Sequence, residues 1–205
     1  MSSAPLWLLA LYGPRLVSSV ANVGRPSRYS RSARAARVGF EVMVLALILL
    51  HVPPQSPFWR SSSLLWGAMV GEAAIVGFTL ITLPILSWQE QRQPLPTRLP
   101  MPDGLMVGSL VLCAVNEELL LRGVLLFGLW DTLGGVATCA LCVGADLLLH
   151  AYQGRRLVWF HLLAAAASIG LALSWGVVAA ISFHLVHNLW VLFEAWRRNR
   201  PSVSE

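Results

Sequence analysis

Polar and ionisable side chains interrupt three of the most apolar stretches of this 205-residue chain. They are Asn116, Glu117, Glu118 and Arg122 in the first stretch, Asp146 and His150 in the second, and His184, His187 and Asn188 in the third. Carboxylates and imidazoles transfer protons and bind metal ions in hydrolytic enzymes. An ionisable group inside a membrane span costs at least about 2.5–3.5 kcal/mol, so each of these groups needs a partner or a function.

The two neighbouring glutamates of the first stretch point in different directions on a helix. Glu118 and Arg122 are spaced i, i+4, which places them on one face and allows a charge-neutralising pair. Glu117 is turned by about 100° from Glu118 and is available to another partner. We therefore predict a structural role for Glu118 with Arg122 and a reactive role for Glu117. The alternative is that Glu117 is a second partner of Arg122.

The third stretch carries an imidazole and a carboxamide on one helix face. His184 and Asn188 are spaced i, i+4 and could donate hydrogen bonds to a developing oxyanion, or the histidine could bind a metal. His150 supplies a further ring nitrogen from the second stretch. Glu117, His150 and His184 together also form a known type of catalytic zinc shell. Both interpretations stay open from the residue types alone.

Two further polar residues, Asp146 and His187, each have two candidate roles. Asp146 precedes His150 by one helical turn, so its carboxylate either orients the imidazole or lines an aqueous cavity. His187 lies on nearly the same face as His184, and we interpret it as a packing histidine in preference to a third ligand. Both residues are candidates for contacting the reactive side chains without contacting the substrate.

The composition indicates which kind of fold positions these groups. The chain is 56% hydrophobic and 12% charged, whereas soluble domains carry roughly 25% charged residues. We predict an all-α fold, an integral membrane bundle of about six transmembrane helices over residues 38–196. The predicted helices span about 38–52, 64–88, 104–130, 134–152, 157–173 and 176–196.

The arginines indicate how such a bundle is oriented. All 15 basic residues are arginine, and 13 of them fall in connections on one side when six crossings are counted. Positive residues accumulate on the cytoplasmic side, so we predict that both termini are cytoplasmic. Residues 1–37 are predicted to be an Arg-rich cytoplasmic or interfacial arm, and residues 197–205 a short basic tail. The basic residues thus indicate membrane lipids as partners, with no nucleic acid.

Three ordered motifs resemble those of a known family. The sequence E-E-L-L-L-R from Glu117 to Arg122 resembles the motif E-E-x-x-x-R, and H-L-V-H-N from His184 to Asn188 resembles H-x-x-x-N. The family is CPBP, the CAAX-protease and bacteriocin-processing intramembrane proteases, also called Abi and related to the type II CAAX prenyl endopeptidases. Its middle motif, F-x-x-x-H, is met only at His150, because position 146 is aspartate. The resemblance covers about residues 100–195.

The resemblance implies an intramembrane endopeptidase in the inner (plasma) membrane of a bacterium. Its substrate would be a membrane-embedded or lipidated protein or peptide. Glu117 and His150 would activate a water, His184 and Asn188 would form the oxyanion site, and Glu118 and Arg122 would support them. We favour this mechanism without a cofactor, and zinc held by Glu117, His150 and His184 is the alternative.

Two other functions are compatible with the same residues. Intramembrane Glu, Asp, His and Arg residues also mark transporters and proton-relay subunits. The grouping of these residues in an ordered motif set favours the enzyme, because relay residues are expected along the whole depth of the bilayer. The third possibility is a catalytically inactive membrane immunity or scaffold protein. The presence of Glu117, His150, His184 and Asn188 together argues against it.

Overall fold

Helices make up all of the described fold. The computed structural model describes residues 6–21, 31–52, 64–92, 103–151 and 158–198. The elements in chain order are a 3-10 helix Leu6–Tyr12, α1 Gly13–Ala21, α2 Arg31–His51, α3 Leu64–Arg92, α4 Gly104–Glu118, a π-helical segment Leu119–Phe127, α5 Gly128–Leu133, α6 Gly135–Leu149, α7 Val158–Trp175 and α8 Val177–Arg198. The predicted all-α fold is confirmed for these residues.

The observed helices follow the predicted ones with two differences. α3, α6, α7 and α8 begin and end within four residues of their predicted bounds. α2 begins at Arg31, so residues 31–37, which were assigned to the arm, belong to this helix. The predicted helix 104–130 is a continuous run of α4, the π-helical segment and α5. Its apolar sequence gave no signal for the π-helical segment, a geometry that is rare and often found at functional sites.

Caps and glycines fix the ends of the helices that carry the site. The Asp103 side chain accepts a hydrogen bond of 2.8 Å from the Met106 N–H and so begins α4. Gly134 and Gly176 have φ of 78° and 86° and separate α5 from α6 and α7 from α8. Only glycine adopts this backbone region without strain. The chain therefore reverses at these two positions with very short connections.

α4 and α8 lie at the centre of the helix packing. α8 packs against α3, α4 and α7, and α4 packs against α2 and α8. α6 packs against α7 and against the π-helical segment. Consequently the three stretches with polar residues, on α4 with its π-helical extension, α6 and α8, face the same interior.

The arm is packed against this bundle over part of its length. The 3-10 helix contacts the π-helical segment, and α1 contacts α6. Leu8 and Tyr12 are 0% and 4% exposed, and Trp7 meets the ring of His51 edge-on at 5.0 Å. The predicted arm and tail residues 1–5, 22–30 and 199–205 lie outside the described residues. The described part of the arm is thus a cover on one side of the bundle.

Apolar side chains face outward and polar side chains face inward over much of this fold. Leu50, Ile81 and Trp159 are 78%, 68% and 65% exposed, whereas Glu118 and Arg122 are 1% and 2% exposed. In the described part of the chain one helix, Val158–Trp175, is long and apolar enough to cross a membrane, and only 22% of it is buried. Shorter apolar segments lie within α3, α6 and α8, at Trp66–Thr82, Gly135–Leu149 and Val177–Trp190.

Gly71 makes the contact between α3 and α8 possible. A Cβ at this position would lie 2.8 Å from Ser182 Cβ and would also collide with the backbone of Ala179. We expect Gly71→Leu to separate the two helices and to destabilise the protein by about 1–3 kcal/mol or more, because packed helices do not absorb extra volume. Thermal unfolding in detergent measures the loss. Gly77→Leu is the control, since nothing lies within 4 Å of its added Cβ.

Candidate active site

The buried carboxylate of Glu118 joins three other elements of the fold. Ser168 of α7 donates to its Oε2 at 2.6 Å, and His184 Nδ1 of α8 lies 2.9 Å from its Oε1. Arg122 Nε lies 3.3 Å from Oε2, at the distance of an ion pair but without the angle of a hydrogen bond. The predicted pairing of Glu118 with Arg122 is present, and Glu118 also orients the histidine of the third motif.

Arg122 continues the network to the second motif. Its Nη2 donates to Asp146 Oδ2 at 2.5 Å, and Asp146 Oδ1 lies 3.0 Å from His150 Nδ1. The backbone oxygen of Asp146 is 2.9 Å from the same ring nitrogen. A carboxylate and a carbonyl can only accept, so His150 Nδ1 carries a proton and Nε2 of the neutral ring keeps a lone pair. Asp146 is therefore in position to orient His150.

His184 lies between the two adjacent glutamates. Its Nδ1 donates to Glu118, and its Nε2 lies 3.7 Å from Glu117 Oε2, just beyond hydrogen-bond length. A single imidazole thus faces one carboxylate on each ring nitrogen. This arrangement favours the doubly protonated ring, because two anions stabilise its charge.

Glu117 is 2% exposed, and its closest partner comes from outside the three motifs. Arg15 of α1 forms an ion pair with Glu117 Oε1 through its Nη2. Cys113, one turn earlier on α4, donates from Sγ to the same oxygen at 3.3 Å. The alternative that Glu117 is a second partner of Arg122 is not what the structure has: the guanidinium beside Glu117 is that of Arg15.

A second buried carboxylate, Glu41 of α2, also holds this arginine. Arg15 Nη1 lies 3.6 Å from Glu41 Oε1 and donates to the Tyr12 hydroxyl oxygen at 3.1 Å. Asn116 Nδ2 donates at 2.8 Å to Glu41 Oε2 and at 2.8 Å to its backbone oxygen. Burial alone would lower the pKa of Arg15, but the charge of Glu117, together with the smaller contributions of Cys113, Tyr12 and Glu41, outweighs it, and this pKa lies well above its usual value.

Asp146, His150 and His161 place possible metal ligand atoms within 4.8 Å of one another. The rings of His150 and His161 are stacked, however, with centroids 4.1 Å apart and an interplanar angle of 20°. Lone pairs lie in the ring planes, so two nearly parallel rings cannot direct them to one ion at about 2.0–2.1 Å. The guanidinium of Arg122 on Asp146 would also repel a dication. This group does not fit zinc in the present arrangement.

The zinc shell considered from the sequence meets a similar obstacle. Glu117 is paired with the Arg15 guanidinium, and a dication bound to Glu117 would have to displace that arginine. The carboxylates on Nδ1 of His150 and His184 are compatible with either role, because histidines that bind zinc usually donate their other ring N–H to such a group. Arg15 is therefore the contact that opposes a metal ion at Glu117 in this arrangement.

The other two residues of the last motif lie apart from this network. Asn188 Nδ2 is 3.5 Å from the backbone oxygen of Leu110, which precedes Glu117 by seven residues, or about 10.5 Å along α4. His187 packs against Phe160, with ring centroids 5.0 Å apart. The structure thus brings Glu117, Glu118, Arg122, Asp146, His150 and His184 together. Asn188 instead contacts the backbone of Leu110, and the ring of His187 packs against Phe160.

Sequence reasoning missed four residues of this site: Arg15, Glu41, Ser168 and His161. Arg15 is one of six arginines in the arm, and its number alone did not distinguish it from the others. Glu41 did carry a signal, because a lone carboxylate in a predicted span requires a partner. That reasoning would have paired it with a cation, but not with one from the arm.

Comparison with known proteins adds no further assignment. No protein-family model, no curated protein and no solved structure matches the chain. The resemblance to the CPBP family therefore rests on the three motifs, and the interpretation of the site rests on its own geometry and chemistry.

Proposed function

We propose that this protein is a CPBP-type intramembrane endopeptidase that hydrolyses a peptide bond in a membrane-associated or lipidated protein. The observation that carries the proposal is the convergence of Glu117, His150 and His184 from three separate helices. Glu117 lies 3.7 Å from His184, and the ion pairs of Glu118, Arg122 and Asp146 connect His184 with His150. A buried carboxylate and two imidazoles, each oriented by a further acid, are the components that water activation requires.

The distribution of polar and apolar side chains supports the membrane part of the proposal. Large apolar residues such as Leu50 and Ile81 are exposed, while charged residues such as Glu41 and Arg122 are buried. A soluble monomer rarely exposes apolar patches larger than a few hundred Å². In lipid, the same surface is in its preferred solvent, and buried charges pair with one another. We propose a multi-pass protein with both termini in the cytoplasm.

The proposed reaction assigns the proton of the water to Glu117 and His150. As a water oxygen bonds to the carbonyl carbon of the substrate, the Glu117 carboxylate or the lone pair on His150 Nε2 accepts one proton. The same group then delivers that proton to the nitrogen of the breaking C–N bond. The products are a carboxylic acid and an amine, so all atoms and charges are accounted for. His150 suits this role because its Nδ1 proton is already engaged by Asp146.

His184 is the donor we assign to the developing oxyanion. Held by Glu118 on Nδ1, its protonated ring presents Nε2–H toward the space beside Glu117. Preorganised donors aimed at a developing charge are usually the largest single contribution to such catalysis. Asn188 would join His184 in this role only if its side chain left Leu110 when substrate binds.

Incubation of the liposome-reconstituted protein with a panel of labelled lipidated and transmembrane peptides tests the proposal. In water enriched in ¹⁸O, mass spectrometry should find one ¹⁸O atom in the new carboxyl group of each cleaved peptide. Cleavage should persist with a chelator, because we assign no step to a metal. Chelator-sensitive cleavage restored by zinc would replace this mechanism with the zinc alternative. Absence of cleavage across the panel, also with the Arg15→Gln variant, would contradict the enzyme assignment.

Asp146→Asn is expected to slow cleavage by about 10–100-fold, the usual effect of losing a carboxylate that orients a catalytic histidine. The loss should fall on kcat with KM nearly unchanged, because Asp146 contacts Arg122 and His150 rather than the substrate. Steady-state kinetics measures both parameters. Asp131→Asn is the matched control, since Asp131 is exposed on α5. A change confined to KM would contradict the orienting role.

A proton relay is the second candidate, favoured by one observation. The contacts form an unbroken chain from Arg15 through Glu117, His184, Glu118 and Arg122 to Asp146, and connected ionisable groups of this kind also carry protons in pumps. The two functions differ in liposomes. A relay changes the internal pH without consuming peptide, whereas a protease consumes peptide without moving protons.

A further inference from the structure

Arg15 enters the site from its surface, whereas every other described charge at the site lies on the bundle helices. Its side chain is 20% exposed, compared with 3% for Glu117 and 1% for Glu41. It pairs with Glu117 and also donates to Cys113 Sγ on α4. A guanidinium from the arm therefore covers the carboxylate to which the reaction assigns the proton of the water.

This contact opposes the chemistry of Glu117. A carboxylate accepts a proton less readily when an opposite charge stabilises its ionised form. Its oxygen Oε1 is occupied by Arg15 and by the Cys113 thiol, whereas Oε2 lies on the His184 side, 3.7 Å from Nε2. With the arm in this position, the site is assembled but its base is neutralised.

Side-chain contacts of the arm would have to break for Arg15 to leave. In the described residues Leu8 and Tyr12 are buried and Val17 on α1 is 70% exposed. The partly buried residues of the arm that pack on the core are Leu9, Leu11 and Leu16. α1 has only 9 residues, and isolated helices shorter than about 12–15 residues are marginal in water. These tertiary contacts therefore hold the segment against the bundle.

We propose that the arm formed by the 3-10 helix and α1 is an autoinhibitory element, which places Arg15 on Glu117 and must withdraw before substrate is cleaved. The proposal rests on the proposed function, because it presumes that Glu117 is the base. Its specific content is a pocket for one guanidinium, formed on the bundle by Glu117 and Glu41, with the Tyr12 hydroxyl of the arm itself accepting from Arg15. Withdrawal of the arm exposes both Glu117 and Cys113.

The charges inside the bundle show why an arginine fits this position. Four buried carboxylates, Glu41, Glu117, Glu118 and Asp146, are described. Arg122 reaches Glu118 and Asp146, which leaves Glu41 and Glu117 to Arg15. A neutral residue at position 15 leaves both carboxylates without a guanidinium, so their ionised forms lose that stabilisation. The Glu117 carboxylate then accepts a proton from water more readily.

The test compares Arg15→Gln and Arg15→Lys with the wild type in liposomes, using a peptide that the protein cleaves. Arg15→Gln is expected to raise the cleavage rate by about 5-fold or more, the lower range of usual coupling between a regulatory element and a site. Arg15→Lys keeps the charge and should stay near the wild-type rate. Tyr12→Phe removes one hydrogen bond to Arg15 and should raise the rate by a smaller factor.

A second measurement reports on the arm without any proteolysis. Cys113 is 4% exposed and is contacted by Arg15 and Arg37. In a Cys139→Ala, Cys142→Ala background, maleimide should label it faster in the Arg15→Gln variant than in the parent protein. Thermal unfolding of each variant establishes that the bundle is intact. Tyr12→Phe should show the same trend even if Arg15→Gln fails to fold.

The outcomes separate this proposal from the proposed function. Faster cleavage together with faster Cys113 labelling in Arg15→Gln supports both. Cleavage that is unchanged or slower in Arg15→Gln, with the wild type active, overturns autoinhibition and makes Arg15 a residue that positions Glu117, while the protease assignment stands. Equal cleavage by Arg15→Gln and by the Arg15→Gln, Glu117→Gln double variant contradicts the protease mechanism, and autoinhibition of Glu117 with it.

Discussion

Glu117→Gln is expected to lower kcat by about 10²–10⁴-fold, the usual contribution of a positioned general base. The amide has nearly the same size and still accepts from Cys113, so the packing of α4 is preserved. It cannot take a proton from water, and it no longer attracts the guanidinium of Arg15 with a full charge. Steady-state cleavage of a labelled peptide in liposomes measures the effect, beside thermal unfolding of both proteins.

Glu72→Gln is the matched control for this substitution. Glu72 lies on α3 and is exposed, so the same chemical change there should leave the rate unchanged. Measuring both variants in the Arg15→Gln background removes the influence of the arm. If Glu117→Gln cleaves as fast as Glu72→Gln, another group supplies the base and the role assigned to Glu117 is wrong.

The helices were the most predictable part of this protein. Apolar runs end at prolines or glycines, and Gly134, with φ of 78°, separates α5 from α6 beside the predicted boundary. The pairing of Glu118 with Arg122 followed from the helical repeat, because residues four apart share a face. The spacing of Asp146 and His150 also allowed their contact, which was one of the two alternatives for Asp146. All of these are local relations along one helix.

The relations between helices were not predictable to the same degree. Ser168 is an unremarkable serine in an alanine-rich run, yet it donates to Glu118 from α7. His161 lies near the start of α7, and its ring stacks on His150. Neither contact has a sequence signal, because each depends on how α7 packs against another helix, α4 for Ser168 and α6 for His161. Helical periodicity fixes the face of a residue but not the neighbour it meets.

Arg15 shows the same limit over the longest separation. The arm was predicted from its arginine content as a cytoplasmic or interfacial segment, and its contact with Cys113 joins residues 98 positions apart. Charge counting uses the arginines as a group and cannot identify the one that enters the bundle. Glu41 and Glu117 are buried carboxylates that each need a cation. Only the three-dimensional contacts show that Arg15 is that cation.

Arg122→Met is expected to destabilise the protein by about 3–5 kcal/mol, the usual cost of removing one partner from a buried ion pair. Arg122 is 2% exposed and lies between Glu118 and Asp146. Methionine fills a similar volume but leaves two carboxylates without a guanidinium in an apolar interior. The free energy of unfolding in a detergent and denaturant titration measures the loss.

The origin of that loss is tested by neutralising the carboxylates as well. The triple variant Arg122→Met, Glu118→Gln, Asp146→Asn should recover much of the stability, because replacing a whole buried ion pair by neutral groups is often nearly neutral. Arg34→Met is the surface control: Arg34 lies 3.0 Å from Asp103, with side chains 27% and 42% exposed. Such a pair contributes at most about 1 kcal/mol. A triple variant as unstable as Arg122→Met would show that the arginine acts through packing instead of charge.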